Sequence, residues 1–422
     1  MQIHDTISAV WRIDGAKVVA TVARMVRDVP VAEELAQEAL IAALERWPVD
    51  GVPDKPGAWL MTTAKNRALD WLRQRQMQER KHEELGRDLE AQEALIVPDF
   101  TDALDAARQD EIGDDLLRLI FTACHPVLPP EARVALTLKL LAGMSTPEIA
   151  RAFLVPEPTV AQRIVRAKQK LREAKVPFEA PRGDELRERL ESVLEVVYLV
   201  FNEGYTATAG EDWMRPSLVQ EALRLGRMLA ELAPQEPEVH GLVALMELQA
   251  SRTHARTDAH GRPVLLADQD RSRWDRLLIR RGLAALGRAE SLTTQPGPYT
   301  LQAAIAACHA RAPSADETDW ARIARLYGEL SRLNPSPVVE LNRAVAVGMA
   351  QGPQEGLAIV ERLLDDRSLR QYHWLPSVQG DLLLKLGRRE EARQAFLRAA
   401  DLAGNSREKQ LLLERAAALD RS

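Results

Sequence analysis

The first feature of this chain is that its hydrophobic positions recur at helical spacing. Ile7, Val10, Trp11 and Val18 return every three or four residues near the start, and the same period continues in the segments that follow. Prolines divide these segments, since Asp28–Pro30 predicts a break and Pro48–Pro56, with three prolines and a glycine, predicts a loop. Amphipathic helices are therefore predicted over residues 1–27, 31–47, 57–78, 116–124 and 131–141.

A helix-turn-helix is predicted over Ser145–Lys175. Ser145 and Glu148 have the spacing of a capping box, in which each side chain bonds the other residue's backbone N–H group. Residues 154–156 end the first helix, because the residue before a proline avoids helical geometry. The second helix begins near Glu157, and its predicted core-facing stripe consists of Val160, Ile164, Ala167 and Leu171.

The opposite face of that second helix suggests DNA binding. Residues 147–175 contain seven basic and three acidic side chains, in a chain whose net charge is -6. Amide and guanidinium groups can read base edges in a major groove while lysines hold phosphates. An ordinary solvated pair of amphipathic helices is the alternative. The outward side chains are Pro158, Ala161, Gln162, Val165, Arg166 and Gln169, flanked by Arg163, Lys168, Lys170, Arg172 and Lys175.

Composition bounds the remaining classes. A length of 422 residues predicts two to four domains, and 5% aromatic content with abundant Leu, Ala, Glu and Arg favours an all-α fold. No apolar stretch is long enough to cross a membrane, the first residues lack the pattern of a secretory signal, and two distant cysteines do not suggest disulfides. We therefore expect a cytoplasmic location. Glu83–Asp115 has twelve acidic residues against two arginines and predicts a flexible acidic linker.

Two further surfaces precede the linker. Residues 31–47 carry an acidic outer face, which is either solvated or a docking surface for a basic partner. Residues 57–78 combine Trp59 and Trp71 with outward basic side chains, which suits the binding of an unstacked strand, although both rings are more often core residues.

The order of these blocks resembles a bacterial RNA polymerase sigma factor of the extracytoplasmic-function (ECF) group. AEELAQEAL and AWLMTTAKNRALDWLRQ resemble region 2, and LPPEARVALTLKLLAGMSTPEIARAF with PTVAQRIVRAKQKL resembles region 4, over residues 5–78 and 112–175. The resemblance implies two partners, the clamp coiled coil of RNA polymerase core and promoter DNA. It implies polymerase contacts at Glu34, Gln37 and Glu38, −10 contacts at Trp47, Lys65, Asn66, Arg67 and Arg73, and −35 contacts at Pro158, Thr159, Ala161, Gln162, Arg163, Val165, Arg166 and Lys170.

The C-terminal half is longer than such a factor requires. Gly380, Gly387, Ala392, Phe396 and Ala399 fall at the small and aromatic positions of a tetratricopeptide repeat, and residues 326–348 resemble a degenerate earlier copy. VFNEGYTA, DQDRSRWD and PSPVVELNRAVAVG resemble the ECF42 subfamily, which carries a tetratricopeptide-like extension. The resemblance implies that this extension tunes sigma activity, and a repeat array could bind a protein or peptide partner. A purely structural cap is the alternative.

Two polar segments of that half have open interpretations. Asn202–Tyr205 is predicted to be a loop after the helix Asp184–Phe201, and it forms either a ligand site or, as we favour, a turn in which Tyr205 packs on the next helix. The Asp and Arg cluster within His254–Asp275 either binds an anion or forms an interhelical salt-bridge network, and we favour the network.

The sequence thus predicts five segments and one leading function. They are a region 2 bundle at 1–80, the acidic linker at 81–115, a region 4 helix-turn-helix at 116–176, a helical extension at 183–290 and helical repeats at 291–422. The expected function is that of a sigma factor, and a free-standing helix-turn-helix regulator with a sensing C-terminal domain is the alternative. Neither a catalytic motif nor a cofactor or metal site is predicted, and the Cys–His pairs at 124–125 and 308–309 are expected to be structural.

Overall fold

A computed structural model describes residues 2–84, 108–153, 155–181, 184–205, 214–258, 262, 264–404 and 406–420. Within these ranges every regular element is a helix, which confirms the all-α prediction. The chain divides into two compact units at Val196/Val197. The first contains α1 (Gln2–Val26), α2 (Val29–Asp50), α3 (Pro56–Glu84), α4 (Arg108–Ala123), α5 (Pro130–Leu140), α6 (Thr146–Phe153), α7 (Glu157–Glu173) and the start of α8 (Asp184–Tyr205).

The second unit is a succession of helices, each packed on the next from α9 onward. Its elements after α8 are α9 (Pro216–Leu232), α10 (Pro237–Ala250), α11 (Arg276–Leu292), α12 (Pro298–Arg311), α13 (Trp320–Leu333), α14 (Pro337–Ala350), α15 (Pro353–Leu363), α16 (Trp374–Lys385), α17 (Arg389–Leu402) and α18 (Ser406–Asp420).

Small residues allow the C-terminal helices to approach closely. A Cβ on Gly380 would lie 2.7 Å from the ring of Phe396, which is completely buried between α16 and α17. Gly356 lies equally close to α14, because a Cβ there would be 2.7 Å from the carbonyl oxygen of Ala344. Ala392 and Ala399 are also fully buried. The predicted helical-repeat packing is therefore confirmed in this segment.

Helix α2 is longer than predicted at both ends. Asp28 caps it, since its side chain accepts a hydrogen bond from the backbone of Val31 at 3.1 Å, and the helix already includes Pro30 in its first turn. Pro48 lies inside the last turn and not in a loop, which corrects the predicted loop start. A proline there forfeits only one backbone hydrogen bond, and the helix continues to Gly51, whose φ of 87° ends it.

Three other sequence expectations need comment. Asn202–Tyr205 is the last turn of α8 and not a loop, and Tyr205 stacks on Phe201 one turn earlier with ring centroids 5.4 Å apart. Helices α3 and α4 extend into both ends of the predicted acidic linker, and its remainder, residues 85–107, lies outside the described residues.

The favoured salt-bridge network around Arg271 is also wrong for the described side chains. Asp270 and Asp275 cap the turns that follow them, through hydrogen bonds to Ser272 and Leu277. Arg271 donates to backbone carbonyls and to Thr318, and not to a carboxylate. Capping satisfies the aspartates locally, which leaves the arginine to find other acceptors.

Candidate nucleic-acid interface

The helix-turn-helix forms as the sequence predicts. The Ser145 backbone N–H donates to the Glu148 carboxylate at 2.7 Å, and the Glu148 N–H donates back to the Ser145 hydroxyl at 3.4 Å. This reciprocal pair satisfies two N–H groups that the start of α6 leaves without helical partners. The predicted core stripe of α7 is buried, and it consists of Val160, Ile164, Ala167 and Leu171.

Helix α7 consequently presents its opposite face to solvent. Gln162 and Arg166 lie one turn apart on this face, and Val165 beside them is 62% exposed. An amide, a guanidinium and an apolar side chain on one exposed helix face can contact base edges and thymine methyl groups in a major groove. Pro158, Ala161, Gln162, Val165, Arg166 and Lys170 are exposed, and Thr159 and Arg163 are half-buried.

The basic residues of α7 divide into two groups. Lys168 forms an ion pair with Glu33 of α2, and Arg172 forms one with Asp28 at 3.1 Å. Arg163, Arg166 and Lys170 make no hydrogen bond or ion pair with any side chain in the described ranges. The structure therefore commits two cations to α2 and leaves three others available to phosphates or bases.

Helix α3 carries a second basic face. Arg67 donates to Glu38 of α2 at 2.5 Å, and Arg73 forms an exposed ion pair with Asp70 at 3.2 Å. Asn66 is exposed and Lys65 is half-buried. Exposed ion pairs of this kind contribute little stability, so phosphates can displace them at low cost.

Trp47 differs from the other residues predicted on the −10 surface. Its ring is only 1% exposed and packs edge-to-face against Trp59, with centroids 5.5 Å apart. In this structure the indole therefore anchors the loop after α2 and has no face open to a base. The exposed apolar side chains there are Val49 and Val52, which sequence reasoning missed because it placed residues 48–56 in a loop and considered only their prolines.

The predicted polymerase contacts occupy α2. Glu34 is exposed, and Glu38 is exposed beside its partner Arg67. Gln37 is half-buried and donates to Glu33 at 2.8 Å. Ile41, one turn beyond Gln37, is an exposed apolar side chain that the sequence analysis did not select. An exposed apolar residue flanked by polar ones is typical of a protein-binding surface.

A cavity of about 620 Å³ lies between α1, α2, α5 and the turn that leads into α6. Arg12 and Glu148 form an ion pair of 2.7 Å at its edge. Although partial burial opposes it, the hydrogen bonds from Ser145 and the charge of Arg12 hold the pKa of Glu148 below its ordinary value. Its lining includes Ile7, Trp11, Glu33, Gln37, Ile41, Lys139 and Met144.

The cysteine and histidine pairs are structural in the described ranges. Cys124 is buried against the Thr137 hydroxyl at 3.3 Å, and burial raises the pKa of its thiol to about 11. His125 accepts a hydrogen bond from the backbone of Val127 in the turn. Among the residues that the structure describes, no three His, Cys, Asp or Glu side chains group as metal ligands, and no helix has the length and apolarity to span a membrane.

Comparison with known proteins agrees with this division. Residues 14–77 match the family "Sigma-70 region 2", residues 118–171 match "Sigma-70, region 4", and residues 189–290 match a family of unknown function, DUF6596. The chain is 28% identical over 176 residues to the probable ECF RNA polymerase sigma factor SigI of Mycobacterium tuberculosis (strain H37Rv), which covers 42% of this chain and 58% of that protein.

A longer match spans both units. The chain is 47% identical over 387 residues to the uncharacterized protein R00370 of Rhizobium meliloti (strain 1021), covering 91% of this chain and 89% of that one. A crystal structure of yeast Tom70 is similar with a TM-score of 0.37 and 12% identity, over 97% of this chain and 82% of that one. The chain belongs to the family of the Rhizobium protein, and its sigma-70 regions 2 and 4 together with its homology to SigI identify it as an ECF-like sigma factor.

Proposed function

We propose that this protein directs RNA polymerase core to specific promoters and assists strand opening, while its C-terminal helices tune that activity. The observation that carries the proposal is the exposed face of α7, where Gln162 and Arg166 have no partner in the described part of the chain. Polar side chains that can read bases, held rigidly above a buried stripe, suit a recognition helix.

The −35 contacts are assigned to that face. Arg166 and Gln162 read base edges, while Ala161 and Val165 supply apolar contacts. Arg163 and Lys170 lie at the flanks, where they hold phosphates, and Pro158 and Thr159 approach the backbone at the start of the helix. The exposure of most of these residues and the availability of the three cations support the assignment.

The −10 contacts are assigned to α3 and the loop before it. Lys65, Asn66, Arg67 and Arg73 hold the melted strand through its phosphates and exposed bases. Trp47 fixes the start of the loop from within the core, and it does not itself stack on a base.

The polymerase contacts are assigned to α2, whose partner is the clamp coiled coil of the core enzyme. Glu34, Gln37 and Glu38 provide the polar contacts, and Ile41 provides an apolar anchor among them. Core polymerase then holds both DNA-binding surfaces at a fixed separation, so that each adds an effectively intramolecular contact.

A free-standing regulator remains the second candidate, because a helix-turn-helix binds DNA alone in that class. Run-off transcription with core polymerase and templates from the protein's own genome separates the two. We expect transcripts that depend on this protein and that are lost with Glu34→Ala plus Ile41→Ala, while Glu45→Ala, an exposed change on the same helix, keeps them. Tight promoter binding without core, and no transcript with it, would establish the regulator.

A further inference from the structure

Three arginines meet in the second unit without a matching set of carboxylates. Arg252 follows α10, Arg256 lies one turn later, and Arg271 lies in the connection before α11. Arg256 and Arg271 are only 6% and 8% exposed. Buried cations are ordinarily paired, because desolvation without a counter-charge is costly.

Arg252 is the least satisfied of the three. Its guanidinium carbon lies 5.8 Å from the ring of Tyr205 and 6.0 Å from that of Trp274. It makes neither a hydrogen bond nor an ion pair within the described ranges, and its Nε is buried without a partner. Arg252 as a whole is only half-buried, so solvent can still approach it.

The other two arginines are fixed by the fold. Arg256 lies 3.6 Å above the ring of Tyr205 and donates to that residue's carbonyl oxygen. Arg271 donates to the carbonyl oxygens of His309 and Ala312 at 2.8 and 2.7 Å. Burial and the charge of Arg252 lower the pKa of Arg256 to about 10, which reports the mutual repulsion of the cluster.

Neutral donors complete the surroundings. Trp274 is buried, and its indole N–H has no acceptor among the described residues. Burial, together with Arg252 and Arg271, lowers the pKa of His309 to about 3, so this imidazole is uncharged at neutral pH. The nearest acids engage elsewhere as well, since Glu408 pairs with His373 at 3.4 Å and the exposed Glu317 accepts from Ser314.

We propose that Arg252, Arg256 and Trp274 form a binding site for an oxyanion, a carboxylate or phosphate group, carried by a small molecule or an acidic peptide. Guanidinium groups bind such oxygens in a planar, bidentate manner, and the rings of Tyr205 and Trp274 provide apolar walls. The site lies in the segment that matches the family of unknown function, and it is independent of the DNA-binding surfaces.

The cluster predicts an unusual trade-off. Removing Arg252 relieves repulsion in the unliganded protein and costs no hydrogen bond, so Arg252→Gln should raise the melting temperature without ligand and abolish stabilisation by ligand. Binding sites commonly sacrifice stability in this manner. An arginine with a merely structural role would lower the melting temperature when replaced.

The test uses the full chain, titrated with inorganic phosphate and with a short Glu-rich peptide at constant ionic strength. We expect saturable stabilisation of the wild type, at least tenfold weaker binding by Arg252→Gln, and no change in Arg273→Gln, an exposed control in the same connection. A response to phosphate alone assigns a small anion, and tighter binding of the peptide assigns a peptide. The proposal is overturned if neither probe gives saturable stabilisation, or if Arg252→Gln responds as the wild type does.

Discussion

Lys168 of the helix-turn-helix forms an ion pair with Glu33 of α2, and this pair links the two sigma-like regions within the first unit. The Glu33 side chain is only 5% exposed and the Lys168 side chain 23%. The pair lies on the side of α7 that faces α2, and Arg172 with Asp28 extends it along the same helix. The cations that a simple sequence reading assigns to DNA are therefore partly used to hold α7 against α2.

We expect Glu33→Gln to loosen this contact. Removing one partner of a mostly buried pair leaves an uncompensated charge, and because Lys168 retains some solvent we expect a loss of about 1–3 kcal/mol in the free energy of unfolding. Denaturant unfolding of a fragment 1–196 measures it. Glu45→Gln, an exposed change on the same helix, is the control, and equal effects of the two would contradict a specific pair.

Arg166→Ala should weaken promoter use by about 1–3 kcal/mol and relax the preference at one −35 position, because a guanidinium to base contact is lost. Lys170→Ala should weaken all sequences alike and reduce the salt dependence of binding, as expected for a phosphate contact. Transcription from a promoter library measures both. A uniform loss with Arg166→Ala would argue against base reading.

The capping box gives a pH prediction. Because the pKa of Glu148 is held below its ordinary value of 4.5, the carboxylate stabilises the fold above that pH, and the contribution disappears as the pH falls through the lower folded-state pKa. Glu148→Gln should therefore destabilise the first unit at pH 7 and be nearly neutral well below pH 4.5. Thermal melts across this range test it, and a difference independent of pH would contradict it.

His309 gives an opposite-sign group with the same direction of dependence. Its pKa of about 3 lies below the ordinary 6.5, so only the unfolded chain takes up the proton between these values. Stability should be fully present above pH 6.5 and decline towards pH 3, by about 1.4 kcal/mol per pH unit. His309→Asn should flatten that slope, while the exposed His254→Asn should retain it.

Gly380 tests the packing of the C-terminal helices. Gly380→Ala places a Cβ 2.7 Å from the buried Phe396 ring, and we expect a loss of about 1–3 kcal/mol. Gly287→Ala is the matched control, since nothing lies within 4 Å of its added Cβ, and alanine should stabilise α11 by about 0.5–1 kcal/mol. Equal destabilisation by both would show that the close approach of α16 and α17 is not required.

The C-terminal packing also shows how far a sequence pattern reaches. Gly380 and Phe396 were identifiable because a helical repeat imposes the same small and aromatic residues at fixed intervals. The loop expected at Asn202–Tyr205 was wrong because its polar residues resemble a turn, whereas the stacking of Tyr205 on Phe201 continues the helix. Propensity is a weak guide when an aromatic contact one turn away competes with it.

The sequence by itself determined the helices, the capping box of Ser145 and Glu148, and the outward face of α7, because these depend on periodicity and on hydrogen bonds between residues a few positions apart. Only the tertiary structure decided that Lys168 and Arg172 pair with Glu33 and Asp28, that Trp47 is buried, and that Arg252 lacks a partner. Those outcomes depend on which helices pack together, and side chains separated by more than a hundred residues leave no local pattern that announces their contact.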